Sequence, residues 1–267
     1  MYLETFFDDC DTKTGCIHCN GRAAIDFDLK MAFQPIVDVQ SRSIFAYEAL
    51  VRGGNGESAF EVISKVTTDQ LYRFDQTCRV LAIQTAAKLG MQTKLCINFL
   101  PNAIYEPASC IKVTLAAAKK CNFPIEDIIL EVSESEKVIS VEKMKKIVEQ
   151  YKKMGFGTAI DDFGAGYAGL GLLANFQPNI IKLDMGLIRD INIDKVKFAI
   201  VDGVVRTCHL LGILVIAEGV ETMAEYQELR AIGINLFQGY LFEKPQNETL
   251  PLVDFDAFFL PVKYFDV

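Results

Sequence analysis

A polar residue near the end of nearly every apolar run is the chemically informative feature of this sequence. Glu48 lies in FAYEALVR, Asn98 in CINFLP, Glu131 in ILEVSES, Asp161 and Asp162 in TAIDDFG, Lys182 in IIKLD, Glu218 and Glu221 in IAEGVE, and Gln238 in FQGYLF. A carboxylate within an apolar strand is costly to bury unless it is paired, hydrogen-bonded or bound to a cation. One such residue is accounted for by a structural hydrogen bond or a salt bridge; a set recurring through successive runs is not. Several carboxylates and one amide, with neither imidazole nor thiolate among them, form a hard-oxygen donor set that selects Mg²⁺ or Mn²⁺ over zinc. Adjacent Asp161 and Asp162 are costly to ionise together without a cation, and one aspartate shared between two metals resolves this. Two metals about 3.5–4 Å apart suit in-line displacement at phosphorus, with Lys182 orienting or polarising the attacking water. The two histidines, His18 and His209, are not placed for catalysis. General-base work therefore falls to a carboxylate or to metal-activated water.

The elements that must bring these residues together follow from the periodicity. Apolar runs at 31–37, 44–51, 94–100, 127–133, 157–163, 179–184, 213–220 and 236–242 alternate with helical spacing at 68–89, 106–120, 138–154, 167–174, 193–211 and 222–231. Strands alternating with helices predict an α/β protein with a mostly parallel sheet. Eight strands in one unit fit a closed (β/α)₈, TIM-like barrel better than an open sheet, and in such a barrel the C-terminal strand ends converge on one rim. The first two runs are joined by DVQSRS, too short for a helical crossover. They are expected to pair antiparallel, which makes the barrel an irregular one with one antiparallel strand.

The chain has 267 residues, is 51% hydrophobic and carries a net charge of −8. This composition excludes global disorder, and the acidic balance argues against a nucleic-acid polymer as partner. No stretch reaches the length of a membrane span, and MYLETFFDDC lacks the basic and apolar stretches of a secretory signal; a cytoplasmic protein is expected. Cys78, Cys96, Cys110, Cys121 and Cys208 fall singly in apolar segments and read as small core residues. Cys10, Cys16 and Cys19 form C-x₅-C-x₂-C around His18 in a polar extension, residues 1–25. That spacing fits a Zn²⁺ site, but His18 is adjacent to Cys19, and a redox-sensitive tail is the favoured reading.

The ordered motifs FQPIVD (33–38), EALVRG (48–53), INFLP (97–101), EVSE (131–134), DDFGAGYAGL (161–170), IKLD (181–184), EGVE (218–221) and QGYLFEKP (238–245) resemble the EAL-domain cyclic di-GMP phosphodiesterases. The domain is placed at 26–260. The resemblance implies hydrolysis of cyclic di-GMP to linear pGpG with two Mg²⁺ or Mn²⁺ ions. It implies Glu48, Asn98, Glu131 and Asp161 as ligands of one metal, and Asp161 as a bridge to a second, which Asp162 and Glu218 approach. It implies Lys182 as the residue that positions water, Glu218 as its assistant, and Gln238 as a polar residue of the active centre. Gln34, Leu50, Arg52, Glu221 and Pro245 are the implied substrate contacts. Glu134 is implied to anchor the loop after Asp162 and to couple the site to a homodimer interface. The sequence departs from the family pattern at Ala165, Ala168 and Gly169, where hydroxyl residues are commoner, and mildly at Ser133. The alternative is a module that binds cyclic di-GMP or a partner protein without hydrolysis. Such a module is expected to have lost one of Glu48, Asn98, Glu131, Asp161, Asp162 or Lys182, and all are present. A Schiff-base role for Lys182 needs a depressed pKa, which neighbouring carboxylates oppose.

Overall fold

Residues 25–104, 106–133, 140–166 and 169–258 are described by a computed structural model. Strands β1 (Leu29–Asp38) and β2 (Ser43–Gly53) form an antiparallel hairpin with partners running from Leu29 and Gly53 to Asp38 and Ser43. Asp38 closes the turn by accepting hydrogen bonds from the backbone N–H groups of Gln40 (2.9 Å) and Ser41 (3.3 Å), an Asx-type turn that explains the short connection. Strands β3 (Lys94–Asn98), β4 (Ile128–Ser133), β5 (Gly157–Phe163), β6 (Ile180–Leu183), β7 (Leu214–Ala217) and β8 (Leu236–Phe237) follow in parallel, each beside its predecessor. β1 closes the barrel between β8 and β2 and is antiparallel to both. A ninth strand, β9 (Gln246–Asn247), extends the edge of β1 at Ala32 and Phe33. The architecture is the irregular barrel expected from the short first connection.

The outer layer holds α1 (Ala59–Lys65), α2 (Leu71–Lys88), α3 (Lys112–Lys120), α4 (Val141–Lys153), α5 (Gly169–Asn175), α6 (Lys195–Leu211) and α7 (Met223–Ala231). Their starts are written locally. Ser58 with Glu61 and Thr222 with Glu225 form capping boxes, while Ser140 and Asp194 accept from first-turn N–H groups, satisfying donors a helix cannot satisfy internally. α6 ends at Gly212, whose φ of 68° is the left-handed conformation a helix stop favours. The segment read as one helix over 106–120 starts at Pro107 and divides at Ile111. α1 was absent from the periodicity because seven residues are too few to show it.

Inside the barrel, one buried residue from every strand forms a plug: Ile36, Ala46, Cys96, Ile129, Ala159, Ile180, Ile216 and Leu236. Side chains alternate along a strand, so the next residue on the same face lies two positions on. Toward the mouth these are Glu48, Asn98, Glu131, Asp161, Lys182, Glu218 and Gln238, with Gln34 from the reversed strand β1. An apolar floor thus carries a polar layer to which all eight strands contribute.

Candidate active site

The polar layer is organised around the Lys182 ammonium, which is fully buried. Its Nζ lies 2.6 Å from Glu218 Oε1, 3.0 Å from Glu131 Oε2, 3.2 Å from Asp161 Oδ1 and 3.3 Å from Glu48 Oε2. Burial opposes the charge, but the four carboxylates outweigh it and hold the Lys182 pKa well above its ordinary value. Glu131 is also fully buried. Desolvation, reinforced by Glu48 and Asp161, raises its pKa to about 8 against the pull of Lys182. Burial likewise pushes Glu218 well above the carboxylate range. Burial works against Asp161 too, yet Lys182 and hydrogen bonds from Glu218, Lys182 and the Asp162 N–H keep it below its ordinary value. The two neighbouring carboxyls are thus shifted in opposite directions, Asp161 down and Glu218 up.

Asp161 and Asp162 are consecutive, and a regular strand would point them to opposite faces. The pairing of β5 with β6 breaks between Ile160 and Phe163, and Asp162 adopts a left-handed φ of 54°. The bulge turns both carboxylates toward the mouth, as bulges beside active sites re-aim side chains. Ser133 Oγ donates to Asp162 Oδ2 at 2.8 Å, and the Asp162 N–H donates to Asp161 Oδ1 at 3.0 Å. Burial and the Asp161 charge raise the Asp162 pKa.

Amides complete the layer. Asn98 Nδ2 donates to Glu48 Oε1 (2.8 Å), and Gln238 Nε2 donates to Glu48 Oε2 (2.7 Å) and to Gln34 Oε1 (3.2 Å). Gln34 Nε2 in turn donates to the Glu243 carbonyl at 3.2 Å. Two carboxylate triads result, Glu48 with Glu131 and Asp161, and Asp161 with Asp162 and Glu218; within each, ligand atoms lie within 4.8 Å of one another. Asp161 belongs to both. Glu131 Oε1 is buried with no hydrogen-bond partner, and an orphaned carboxylate oxygen in an all-oxygen set fits a hard divalent cation.

The remaining expected contacts lie at the mouth. Leu50 and Arg52 follow Glu48 on the same face of β2, and both are partly buried. Arg52 Nη1 donates to the Val51 carbonyl at 2.8 Å. A cavity of about 320 Å³ is lined by Gln34, Asp162, Glu218, Glu221 and Gln238, together with Asp184, Met185 and Tyr240, which the sequence reading did not select. Asp184 was legible as the acid ending IKLD; Met185 and Tyr240 carried no signal. The Glu221 carboxylate is engaged by Arg189 at 2.7 Å. Pro245 is partly buried just ahead of β9. Glu134, and Cys10, Cys16 and Cys19 with the Zn²⁺ reading attached to them, lie outside the described residues. A larger groove of about 630 Å³ involves Arg206, His209 and Leu214 and has no carboxylate in its lining. It belongs to the opposite rim, where β7 and β8 begin.

A closed barrel with one reversed strand and an acidic layer at its mouth defines a barrel with the equipment of a metal-dependent hydrolase. Residues 22–245 match the family model of the EAL domain, and the chain belongs to that family. A standalone EAL protein from Vibrio cholerae O395, solved with cyclic di-GMP bound, is similar at 56% identity and a TM-score of 0.84, covering 87% of this chain and 99% of that one. Klebsiella pneumoniae BlrP1, solved with calcium and cyclic di-GMP, is 36% identical with a TM-score of 0.81, covering 86% of this chain and 60% of that one. The antirepressor BluF of Escherichia coli K12 is 34% identical over 223 residues, 83% of this chain and 55% of that protein. The cyclic di-GMP phosphodiesterase PdeR of the same organism is 36% identical over 141 residues, 53% of this chain and 21% of that protein. The chain thus spans about half the length, or less, of these curated relatives. Among the described residues no helix is long and apolar enough to cross a membrane.

Proposed function

We propose that this chain hydrolyses cyclic di-GMP to linear pGpG. The observation that carries the reading is the membership of Asp161 in two adjoining carboxylate triads at the barrel mouth. The first triad, with the Oδ1 of Asn98, whose Nδ2 donates to Glu48, would hold one Mg²⁺ or Mn²⁺ ion. Asp161, Asp162 and Glu218 would hold another. When bound, the two cations supply charge neutralisation and Lewis-acid polarisation at the phosphodiester.

The chain's own residues do the rest. Lys182 offsets the negative charge of the carboxylates around it and presents an N–H to the attacking water. Glu218, the carboxyl whose pKa burial raises, takes the proton of that water as its oxygen bonds to phosphorus. The P–O3′ bond breaks in line, and the leaving O3′ takes up a proton from solvent at the barrel mouth, to which Glu218 returns its own. Gln238 and Gln34 orient Glu48 through their hydrogen-bonded chain. Arg52, with Gln34, is suited to forked contact with a phosphate, and Leu50, Glu221 and Pro245 border the nucleotide. Glu134 and the loop that follows Asp162 are assigned the coupling of the site to a homodimer, and the domain is assigned 26–260 in a cytoplasmic protein.

The similarity to structures holding cyclic di-GMP supports this substrate, and the complete polar layer favours hydrolysis over binding alone. The test is incubation of the purified chain with cyclic di-GMP and Mg²⁺ or Mn²⁺, with products resolved by chromatography. Release of pGpG is expected. Tight binding with no product under either ion supports the non-hydrolytic module instead.

A further inference from the structure

Outside the barrel, an ion pair is sealed between α2 and the segment that follows β3. Arg79 is 0% exposed and Asp75 2%, and they stand one helical turn apart. Arg79 Nη2 meets Asp75 Oδ2 at 2.6 Å, and Arg79 Nη1 donates to Thr114 Oγ1 of α3 at 2.9 Å. The second Asp75 oxygen, Oδ1, accepts the backbone N–H of Leu100 at 2.8 Å. Leu100 stands two residues after Asn98, just beyond the end of β3.

A buried ion pair is seldom more stabilising than well-packed apolar residues of the same volume. α2 already buries Phe74, Val80, Ala82, Ile83 and Ala86 against the barrel, so attachment of the helix does not call for charge. The pair does what apolar packing cannot: it aims a fixed carboxylate oxygen at one backbone N–H. The β3–β4 ladder ends with the Phe99 N–H donating to the Glu131 carbonyl at 2.9 Å. Without Asp75 the next N–H, which is partly buried, would lose its partner, and donors shielded from water are costly to leave unpaired. The backbone on the C-terminal side of Asn98 is thereby pinned twice, to Glu131 and to Asp75. The Asn98 side chain, immediately ahead of these pins, donates to Glu48.

We infer that Asp75, held by Arg79, is a positioning residue that fixes Asn98 in the cation site through the Leu100 N–H. The inference rests on the ligand role proposed for Asn98. Groups that orient ligands from behind typically change metal affinity by about 10–100-fold when removed.

The test compares two charge-neutral pairs of substitutions in the full chain, because removing one charge alone leaves the other buried and unpaired. D75L/R79M removes the acceptor for Leu100, whereas D75N/R79M keeps one at the same position. The probe is Mn²⁺ alone, titrated by electron paramagnetic resonance without nucleotide, so the outcome does not depend on whether the chain turns over cyclic di-GMP. Hydrogen exchange at Leu100 in the metal-free proteins is the second readout. D75L/R79M is expected to weaken Mn²⁺ binding at least about tenfold and to speed Leu100 exchange, while D75N/R79M stays within about twofold of the parent on both. Equal Mn²⁺ affinities for the two paired variants overturn the inference. So does a Leu100 amide in the parent chain that exchanges as fast as an exposed loop amide, a result that stands even where the paired variants fail to fold.

Discussion

Replacing Lys182 with methionine separates what its charge does for the fold from what it does for the reaction. The ammonium touches four carboxylates at 2.6–3.3 Å. At an effective dielectric of about 20, each contact near 3 Å is worth roughly 5 kcal/mol before desolvation. Most of that is offset by the cost of drying the charges. Removing one partner of a buried ionic cluster typically costs about 3–5 kcal/mol net. For a domain of this size that corresponds to a fall in Tm of roughly 6–20 °C. The metal-free K182M protein is expected to show this loss more at pH 8.5 than at pH 6, because carboxyls such as Glu131 relieve their repulsion by taking up protons. Mg²⁺ is expected to recover most of the stability, since a divalent cation replaces the missing charge. Turnover is expected to remain about 10²–10³-fold down even with saturating Mg²⁺, as when a positioned donor is deleted from an active site. The assay is thermal melting with EDTA or Mg²⁺ at both pH values, paired with chromatographic turnover. An unchanged metal-free Tm, or turnover within threefold of the parent, refutes the reasoning.

Ser133→Ala removes the donor to Asp162 Oδ2 and is expected to weaken the second cation about 10–100-fold with little effect on the first, measured by two-site Mn²⁺ titration. Metal affinity is expected to climb with pH. The metal-free Glu131 carboxyl titrates near 8 against an ordinary 4.5, so protons compete with the cation below that value and cease to compete above it. The same shift means that the stability contributed by protonated Glu131 is present in full below about 4.5 and is lost as pH rises through about 8. Calorimetric titration with Mg²⁺ in buffers of different ionisation enthalpy checks both the trend and the released proton. Ca²⁺ added to the Mg²⁺ enzyme is expected to inhibit, because it holds oxygens at about 2.3–2.6 Å against about 2.0–2.1 Å for Mg²⁺. A displacement of even ~1 Å costs about a hundredfold in rate. Turnover with Ca²⁺ alone equal to that with Mg²⁺ contradicts the positioning argument.

Most of the polar layer was legible because barrel strands place their mouth residues at fixed phase. Glu48, Asn98, Glu131, Lys182, Glu218 and Gln238 each interrupt an apolar run, and the polarity itself marked them. What the sequence concealed was local geometry. Alternation sends Asp161 and Asp162 to opposite faces, and only the bulge with its left-handed Asp162 brings both to the mouth. Lys182 was read as a water-orienting group; its contacts with four carboxylates depend on the closure of the barrel, which no local pattern encodes. Asp75 and Arg79 sit among the buried residues of α2, where a charged pair breaks the apolar stripe but names no partner. The start of α1 was written in Ser58 and Glu61, the spacing of a capping box, although its short length hid the helix. The Glu221 to Arg189 pairing joins loops after different strands and had no signature in either loop.

The most direct measurement is hydrolysis of cyclic di-GMP in ¹⁸O-labelled water with Mg²⁺, followed by mass analysis of the product. The account predicts pGpG carrying one ¹⁸O on its terminal phosphate, formed only with a divalent cation and lost with EDTA. Intact cyclic di-GMP that stays bound to the protein in the presence of Mg²⁺ or Mn²⁺, with no labelled product, would contradict it.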